Sequence, residues 1–170
     1  MKKQNLNLSS FAIIILFITS FAYSSEINIV KGKAVIIDGD TIKINGQAIR
    51  FGGIDAPESF YRGKKQECYL NEKKVFCGEL SKKKLKEKIS SNIVSCIIEK
   101  NKDRYGRIVA ECFINEESLS SFMVRNGYAF DYKRYSNKKY AQDEEYAKIN
   151  KLGIWKMKFA YPWEWRKKNK

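Results

Sequence analysis

Thr41-Ile42-Lys43-Ile44-Asn45-Gly46-Gln47-Ala48-Ile49-Arg50-Phe51-Gly52-Gly53-Ile54-Asp55-Ala56-Pro57-Glu58 is the stretch that decides the fold. Two short β-rich runs, 41–44 and 48–51, flank Asn45-Gly46, a pair that accepts the positive φ of a tight hairpin turn. Gly52-Gly53 lets the second strand coil sharply, as a small barrel requires, and Ala56-Pro57 ends it. Upstream, Ile27 to Ile37 alternates loosely and stops at the turn Asp38-Gly39. Downstream, Val94 to Glu99 and Ile108 to Ile114 flank the polar turn Lys102-Asp103-Arg104-Tyr105-Gly106 and make a second hairpin. Between the hairpins, 59–78 reads as a polar, basic loop and 79–91 as a helix with Leu80, Leu85 and Ile89 inward. Further helices are expected over 118–126, closed by Gly127, and over 137–152, closed by Gly153. This order is α+β: five strands suited to a small Greek-key barrel, with about three helices.

The chain has 170 residues, with 33 Lys+Arg against 19 Asp+Glu, a net +14 and no histidine. Without histidine there is no Ser-His-Asp or Cys-His triad, no His-ligated zinc and no His general base. Catalysis must use carboxylates, Arg, Lys, Tyr, Cys or a bound ion. The basic excess favours a polyanionic partner. Residues 1–24 read as a secretory signal peptide: Lys2 and Lys3 precede the apolar run Phe11–Ala22, and Ala22-Tyr23-Ser24 is small at the cleavage positions. The run is short of the roughly 20 apolar residues that span a bilayer. The expectation is therefore cleavage after Ser24 or Ser25, no stable membrane insertion afterwards, and a periplasmic or secreted protein. One domain over 25–155 follows, then an aromatic and basic tail over 156–170.

Four cysteines, Cys68, Cys77, Cys96 and Cys112, make two disulfides the expectation in an exported chain. A hairpin centred near residue 104 sets Cys96 opposite Cys112, Ile98 opposite Ala110 and Val94 opposite Ile114. All six are apolar and share one face by the strand period of two. The register that buries this face also aligns the sulfurs, so Cys96–Cys112 is the expected pair. Cys68–Cys77 follows by exclusion, as a clip on the 59–78 loop.

Asp40, Asp55 and Glu58 sit beside turns and strand ends, where carboxylates serve as hard ligands for Ca²⁺ or Mg²⁺ or simply as turn formers. A straight hairpin sets residue 40 near 51, so the bend at Gly52-Gly53 must bring Asp55 back. Arg50 lies in an otherwise apolar strand and Arg107 follows the second turn. Such guanidiniums either fork onto phosphate or are plain surface charges. Val35-Ile36-Ile37-Asp38-Gly39-Asp40-Thr41, then Arg50 to Glu58, then Asp103-Arg104-Tyr105-Gly106-Arg107 resemble, in order and spacing, the three signature blocks of the staphylococcal nuclease (thermonuclease) family. With the helices and Leu152-Gly153-Ile154-Trp155, the resemblance extends over most of 28–155. It implies an OB-type barrel, a monomer, and a Ca²⁺-dependent phosphodiesterase that cuts DNA and RNA to leave 3′-phosphates, with Mg²⁺ as the alternative ion.

By the same resemblance, Asp40, Asp55 and the backbone carbonyl of Ala56 hold the metal, Glu58 positions or deprotonates the attacking water, and Arg50 and Arg107 clamp the scissile phosphate. Arg104 and Tyr105 contact substrate. Position 56 is Ala where the founding member has Thr, which a carbonyl ligand tolerates. The four cysteines and Pro162-Trp163-Glu164-Trp165-Arg166 resemble exported Gram-negative members. The chief rival is a non-catalytic OB-type module that binds single strands by stacking bases on Tyr105, Tyr132 and Tyr135. The full set of acids and arginines weighs against it. A peripheral protein held on anionic surfaces by Trp163, Trp165 and the basic end is weaker, because the tail makes a poor amphipathic helix.

Overall fold

A single parallel pairing closes the barrel. In a computed structural model, which describes residues 28–100 and 102–170, β1 (Ile29–Asp38), β2 (Thr41–Ile44) and β3 (Gln47–Phe51) form an antiparallel meander turned at Asn45-Gly46, both of positive φ. The expected signal segment 1–24 lies outside the described residues. Past the Gly52-Gly53 bend comes β4 (Ile54–Asp55), then a side hairpin of β5 (Glu67–Leu70) and β6 (Lys73–Phe76), then helix α1 (Cys77–Ile89). The second large hairpin is β7 (Ile93–Lys100) and β8 (Ile108–Ile114), with β9 (Glu117–Ser118) as a short extension. β7 pairs with β1, and β8 returns parallel to β3 through Ile49–Ile108, Arg50–Val109 and Phe51–Ala110. Strands β1, β2, β3, β8 and β7 thus form the expected closed five-stranded barrel of an α+β, OB-type fold.

The barrel is filled by Ile42, Ile44, Ile49, Phe51, Val94, Cys96, Ala110 and Cys112, all at most 1% exposed. Leu85 and Ile89 of α1 belong to the same core. So do Leu119 and Met123 of α2 (Leu119–Arg125), whose N-terminus is capped by the Ser118 hydroxyl. The β7–β8 register is the expected one, with Cys96 opposite Cys112 and Ile98 opposite Ala110. Both expected disulfides are present.

Three departures have local causes. The 59–78 segment, read as a loop, contains the β5–β6 hairpin, turned at Asn71-Glu72, both left-handed. The helix expected over 137–152 is shorter: after β10 (Phe130–Asp131) comes an unexpected short α3 (Lys133–Ser136), Asn137-Lys138 are left-handed, and α4 runs only over Ala141–Ile149. The tail, read as irregular, ends in α5 (Pro162–Lys168), begun by a proline whose missing N–H costs nothing in the first turn.

Residues after 155 pack back on the domain. Phe130, Ile154, Cys68 and Cys77 are fully buried in a second core, against which Trp155, Met157, Phe159, Tyr161 and Trp163 pack. Tyr69 and Lys158 exchange two backbone hydrogen bonds of 2.9 Å, joining β5 to the tail. No described helix is long and apolar enough to cross a membrane.

Cys96–Cys112 ties barrel strands 16 residues apart in sequence. In the chain-entropy model a loop of that length contributes about 3 kcal/mol. Replacing both cysteines with alanine should lower unfolding stability by about that much in a urea titration; an unchanged midpoint would show that the strands hold without the link.

Candidate active site

The bulge that ends β1 and the bend that ends β3 bring four acids to one end of the barrel. Asp38 turns the chain: its Oδ1 accepts from Gly39 N at 2.8 Å and from Ser59 N at 3.3 Å. Gly39 itself lies against Ser81 and Ala56, with no room for a Cβ. Asp40, 4% exposed, accepts from Thr41 Oγ1 on Oδ1 (2.8 Å) and from Ala56 N on Oδ2 (2.9 Å). The bend therefore does bring the second patch back to the first. At that bend Gly53 has φ +73° and backs onto Ser136, while a Cβ on Gly52 would run into the Glu99 carboxylate.

Arg50 leaves β3 between these acids. Its Nη1 lies 2.7 Å from Asp40 Oδ1; its Nη2 donates to Asp55 Oδ1 at 2.7 Å and to Ile54 O at 3.1 Å. Asp55 is fully buried, and its strand pairs with β10 through Phe130. Glu58 is fixed by its backbone: its N–H donates to Gln66 Oε1 (3.1 Å) and its carbonyl accepts from Gln66 N (3.0 Å). Gly78 at the start of α1 touches that carbonyl so closely that a Cβ would overlap it. A second guanidinium comes from the tail. Arg166 Nη2 donates to Asp55 Oδ2 (2.6 Å), and its Nη1 to Asp55 Oδ1 (3.1 Å) and Glu58 Oε1 (2.5 Å).

Burial dominates the electrostatics. Desolvation, reinforced by the neighbouring Asp40 charge, pushes Asp38 up to about 7. Desolvation also raises Asp55, with Arg166 and Arg50 pulling it back, and raises Glu58, with Arg166 opposing. Burial works against the Arg50 charge, but Asp40 and Asp55 outweigh it and lift its pKa. Three of the four carboxylates thus meet two guanidiniums, while Asp38 has backbone N–H groups as its partners. Among the described residues no three acids converge into a preformed ion cage: Arg50 bridges Asp40 and Asp55, and Arg166 bridges Asp55 and Glu58.

A family model for staphylococcal nuclease homologues matches residues 48–157. The chain belongs to the staphylococcal nuclease family. It is 33% identical over 128 residues to the succinoglycan biosynthesis protein ExoI of Rhizobium meliloti (strain 1021), covering 74% of this chain and 64% of that one. It is 31% identical over 158 residues to the micrococcal nuclease of Shigella flexneri, covering 82% of each. An uncharacterized endonuclease of Haemophilus influenzae is 29% identical over 166 residues, 94% of this chain and 84% of its own. The chain spans just under two thirds of the Rhizobium protein's length.

In this staphylococcal nuclease homologue the residues expected from sequence fall into two groups of contacts. Asp40, Arg50, Asp55, Ala56 and Glu58 form one cluster. Arg107 belongs to the second turn, next to Ile108 that pairs with Ile49 of β3, and its Nε and Nη2 fork onto Asp103 Oδ2 at 2.9 and 2.7 Å. Tyr105, 66% exposed, has the guanidiniums of Arg104 (4.7 Å) and Arg107 (5.2 Å) over its ring. Tyr105 and Tyr135 are both largely exposed, whereas Tyr132 lies parallel to Trp163 at 5.1 Å.

Sequence reading took Asp38 for a turn former and passed over Gln66 and Arg166. The signal for Arg166 was the density of aromatics in a terminal segment led by a proline, which marks a docked element. Nothing marked Gln66.

Asp38 holds its proton further up the pH scale when folded, about 7 against an ordinary 3.8. Between those values the folded state binds more protons than the unfolded, so this group's contribution to stability falls as pH rises through the window. Asp38→Asn keeps an acceptor for Gly39 and Ser59. It should raise the melting temperature at pH 8 in chelator, with the gain shrinking toward pH 4. A gain equal at both pH values would mean that Asp38 carries no such penalty.

Proposed function

We propose that the chain is a Ca²⁺-dependent endonuclease that hydrolyses phosphodiester bonds of DNA and RNA to leave 3′-phosphates. The observation that carries this reading is the Arg50 guanidinium bridging Asp40 and Asp55, with Glu58 joined to the same cluster. Family membership and relatives named as nucleases support it. Asp40, Asp55 and the Ala56 carbonyl are an all-oxygen donor set, which suits a hard divalent cation, and four acids against two arginines leave the pocket short of positive charge. The residues fit such an ion. When bound, it supplies Lewis-acid neutralisation of the phosphate and a site for water.

The chain's own groups do the rest. The hydrogen bonds to Asp55 and Ile54 occupy both N–H groups of Arg50 Nη2, and Nη1 lies against Asp40, so N–H groups of Nη1 and Nε remain as donors for phosphate oxygens. Those donors stabilise the extra negative charge of the pentacovalent state in a site already built to hold them. Glu58 takes the proton of the attacking water, a task served by desolvation that raises its basicity. Tyr105 and the basic turn around it offer a stacking and phosphate surface at the substrate's flank. Export to the periplasm or beyond accords with the signal-like 1–24 segment and with two disulfides, which persist in oxidising compartments.

Incubating the protein with plasmid or RNA, with Ca²⁺ or with excess chelator, tests the reading. Cleavage confined to the Ca²⁺ arm, with 3′-phosphate ends, is expected. Cleavage that persists in chelator would sink it, and cleavage in Mg²⁺ alone would correct the ion. Arg50→Lys should lower kcat roughly a hundredfold or more, because an ammonium cannot bridge two acids and still fork onto phosphate. Near-normal turnover would make Arg50 a structural strut.

A further inference from the structure

Glu58 is held firmly at its backbone, yet its carboxylate has one hydrogen-bonding partner among the described residues, Arg166. The same guanidinium takes both oxygens of Asp55, so one rigid, planar group fixes two acids relative to each other. The contact is not the chance resting place of a basic tail. On α5, Lys167 and Lys168 are exposed, whereas the Arg166 side chain is only 24% exposed.

The tail is also secured independently of Arg166. Trp163 is stacked between Tyr132 and Tyr161, at 5.1 and 4.7 Å. Trp165 meets Tyr61 edge-on, and Gln66, whose Oε1 holds Glu58, donates through Nε2 to Ala160 O at 2.8 Å. Lys64 Nζ donates to Asn169 Oδ1 at 3.0 Å. Aromatic packing before Arg166 and a polar tie after it leave the guanidinium little freedom except at the acids.

We propose that Arg166 is a positioning residue of the active site, whose guanidinium, delivered by the C-terminal helix, bridges Asp55 and Glu58 and aims the Glu58 carboxylate at the water it deprotonates. This rests on the nuclease reading. It makes the tail a working part of the site, adding a guanidinium on Asp55 to the one that Arg50 brings from β3. Misplacing a catalytic group by about 1 Å costs roughly 10²-fold in rate, so the effect falls on turnover more than on substrate affinity.

The test is steady-state cleavage by the full chain in Ca²⁺, comparing wild type, Arg166→Ala and Arg166→Lys, with melting temperatures measured alongside. Arg166→Ala should lose kcat roughly 10²-fold while KM changes less than about threefold, and added guanidinium ion at millimolar concentration should recover part of the loss. Arg166→Lys keeps the charge and the fold but not the bridge, and should remain at least about tenfold slow. If Arg166→Ala does not fold, the lysine variant alone decides. Turnover within twofold of wild type in the decisive variant overturns the proposal. So does faster turnover, which would make Arg166 a plug on the site. A loss that guanidinium does not relieve, accompanied by a lowered melting temperature, also overturns it and assigns Arg166 to structure. A wild-type protein inert in both Ca²⁺ and Mg²⁺ overturns the nuclease reading, and the role of Arg166 with it, whereas the other failures leave that reading standing.

Discussion

Four carboxylates crowded at one end of a small barrel are the constraint on which the rest of this structure depends. Two like charges about 4 Å apart repel by about 4 kcal/mol at an effective dielectric of 20, and Asp40 and Asp55 are almost wholly withdrawn from water. Such a cluster persists if cations are placed between its members or if a member holds its proton, as burial makes Asp38 do. Arg50 joins Asp40 to Asp55, and Arg166 joins Asp55 to Glu58. Asp55 belongs to both bridges, which accounts for its complete burial: its two oxygens receive three guanidinium bonds.

The barrel meets that constraint through backbone geometry. The parallel β3–β8 pairing fixes the strand that carries Arg50, and the Gly52-Gly53 bend folds Asp55 and Ala56 back so that the Ala56 N–H reaches Asp40. The second core performs the matching task for the other guanidinium. Phe130 sits beside Asp131 on the strand that pairs with Ile54–Asp55, and the same ring anchors Phe159, Tyr161 and Trp163. The Cys68–Cys77 disulfide, expected as a clip on a loop, is part of this core. One aromatic ring therefore stands behind both the strand bearing Asp55 and the segment bearing Arg166.

Where local rules and packing agree, the sequence was legible. Asn45-Gly46 marked one hairpin, and the apolar face shared by Val94, Cys96 and Ile98 marked the register of another. Asp40, Arg50, Asp55 and Glu58 were legible because turn and strand end confine them to short blocks. Helix boundaries were read less well: left-handed Asn137 and Lys138 hold the start of α4 back to Ala141, and the one-turn α3 before them has too few residues to show a period. Arg166 and Gln66 escaped because their roles come from contacts 108 and 8 residues away from Glu58, and no periodicity encodes contacts of that kind. Arg107 was equally plain in its motif, and the fold adds its fork onto Asp103, a contact four residues away within one turn.

The Asp55–Arg166 pair spans 111 positions of the chain, and this gives the site an order of birth. A domain is made from its N-terminus and folds as a unit when enough of it has emerged. When residue 155 is joined to the growing chain, the barrel strands, both cysteine pairs and all three signature blocks have been synthesised, yet the Asp55–Glu58 bridge still lacks its cation. The second core is then open as well, because Phe159, Tyr161 and Trp163 do not yet exist. A chain cut short anywhere between 156 and 165 therefore keeps all three signature blocks and lacks the residue that ties Asp55 to Glu58.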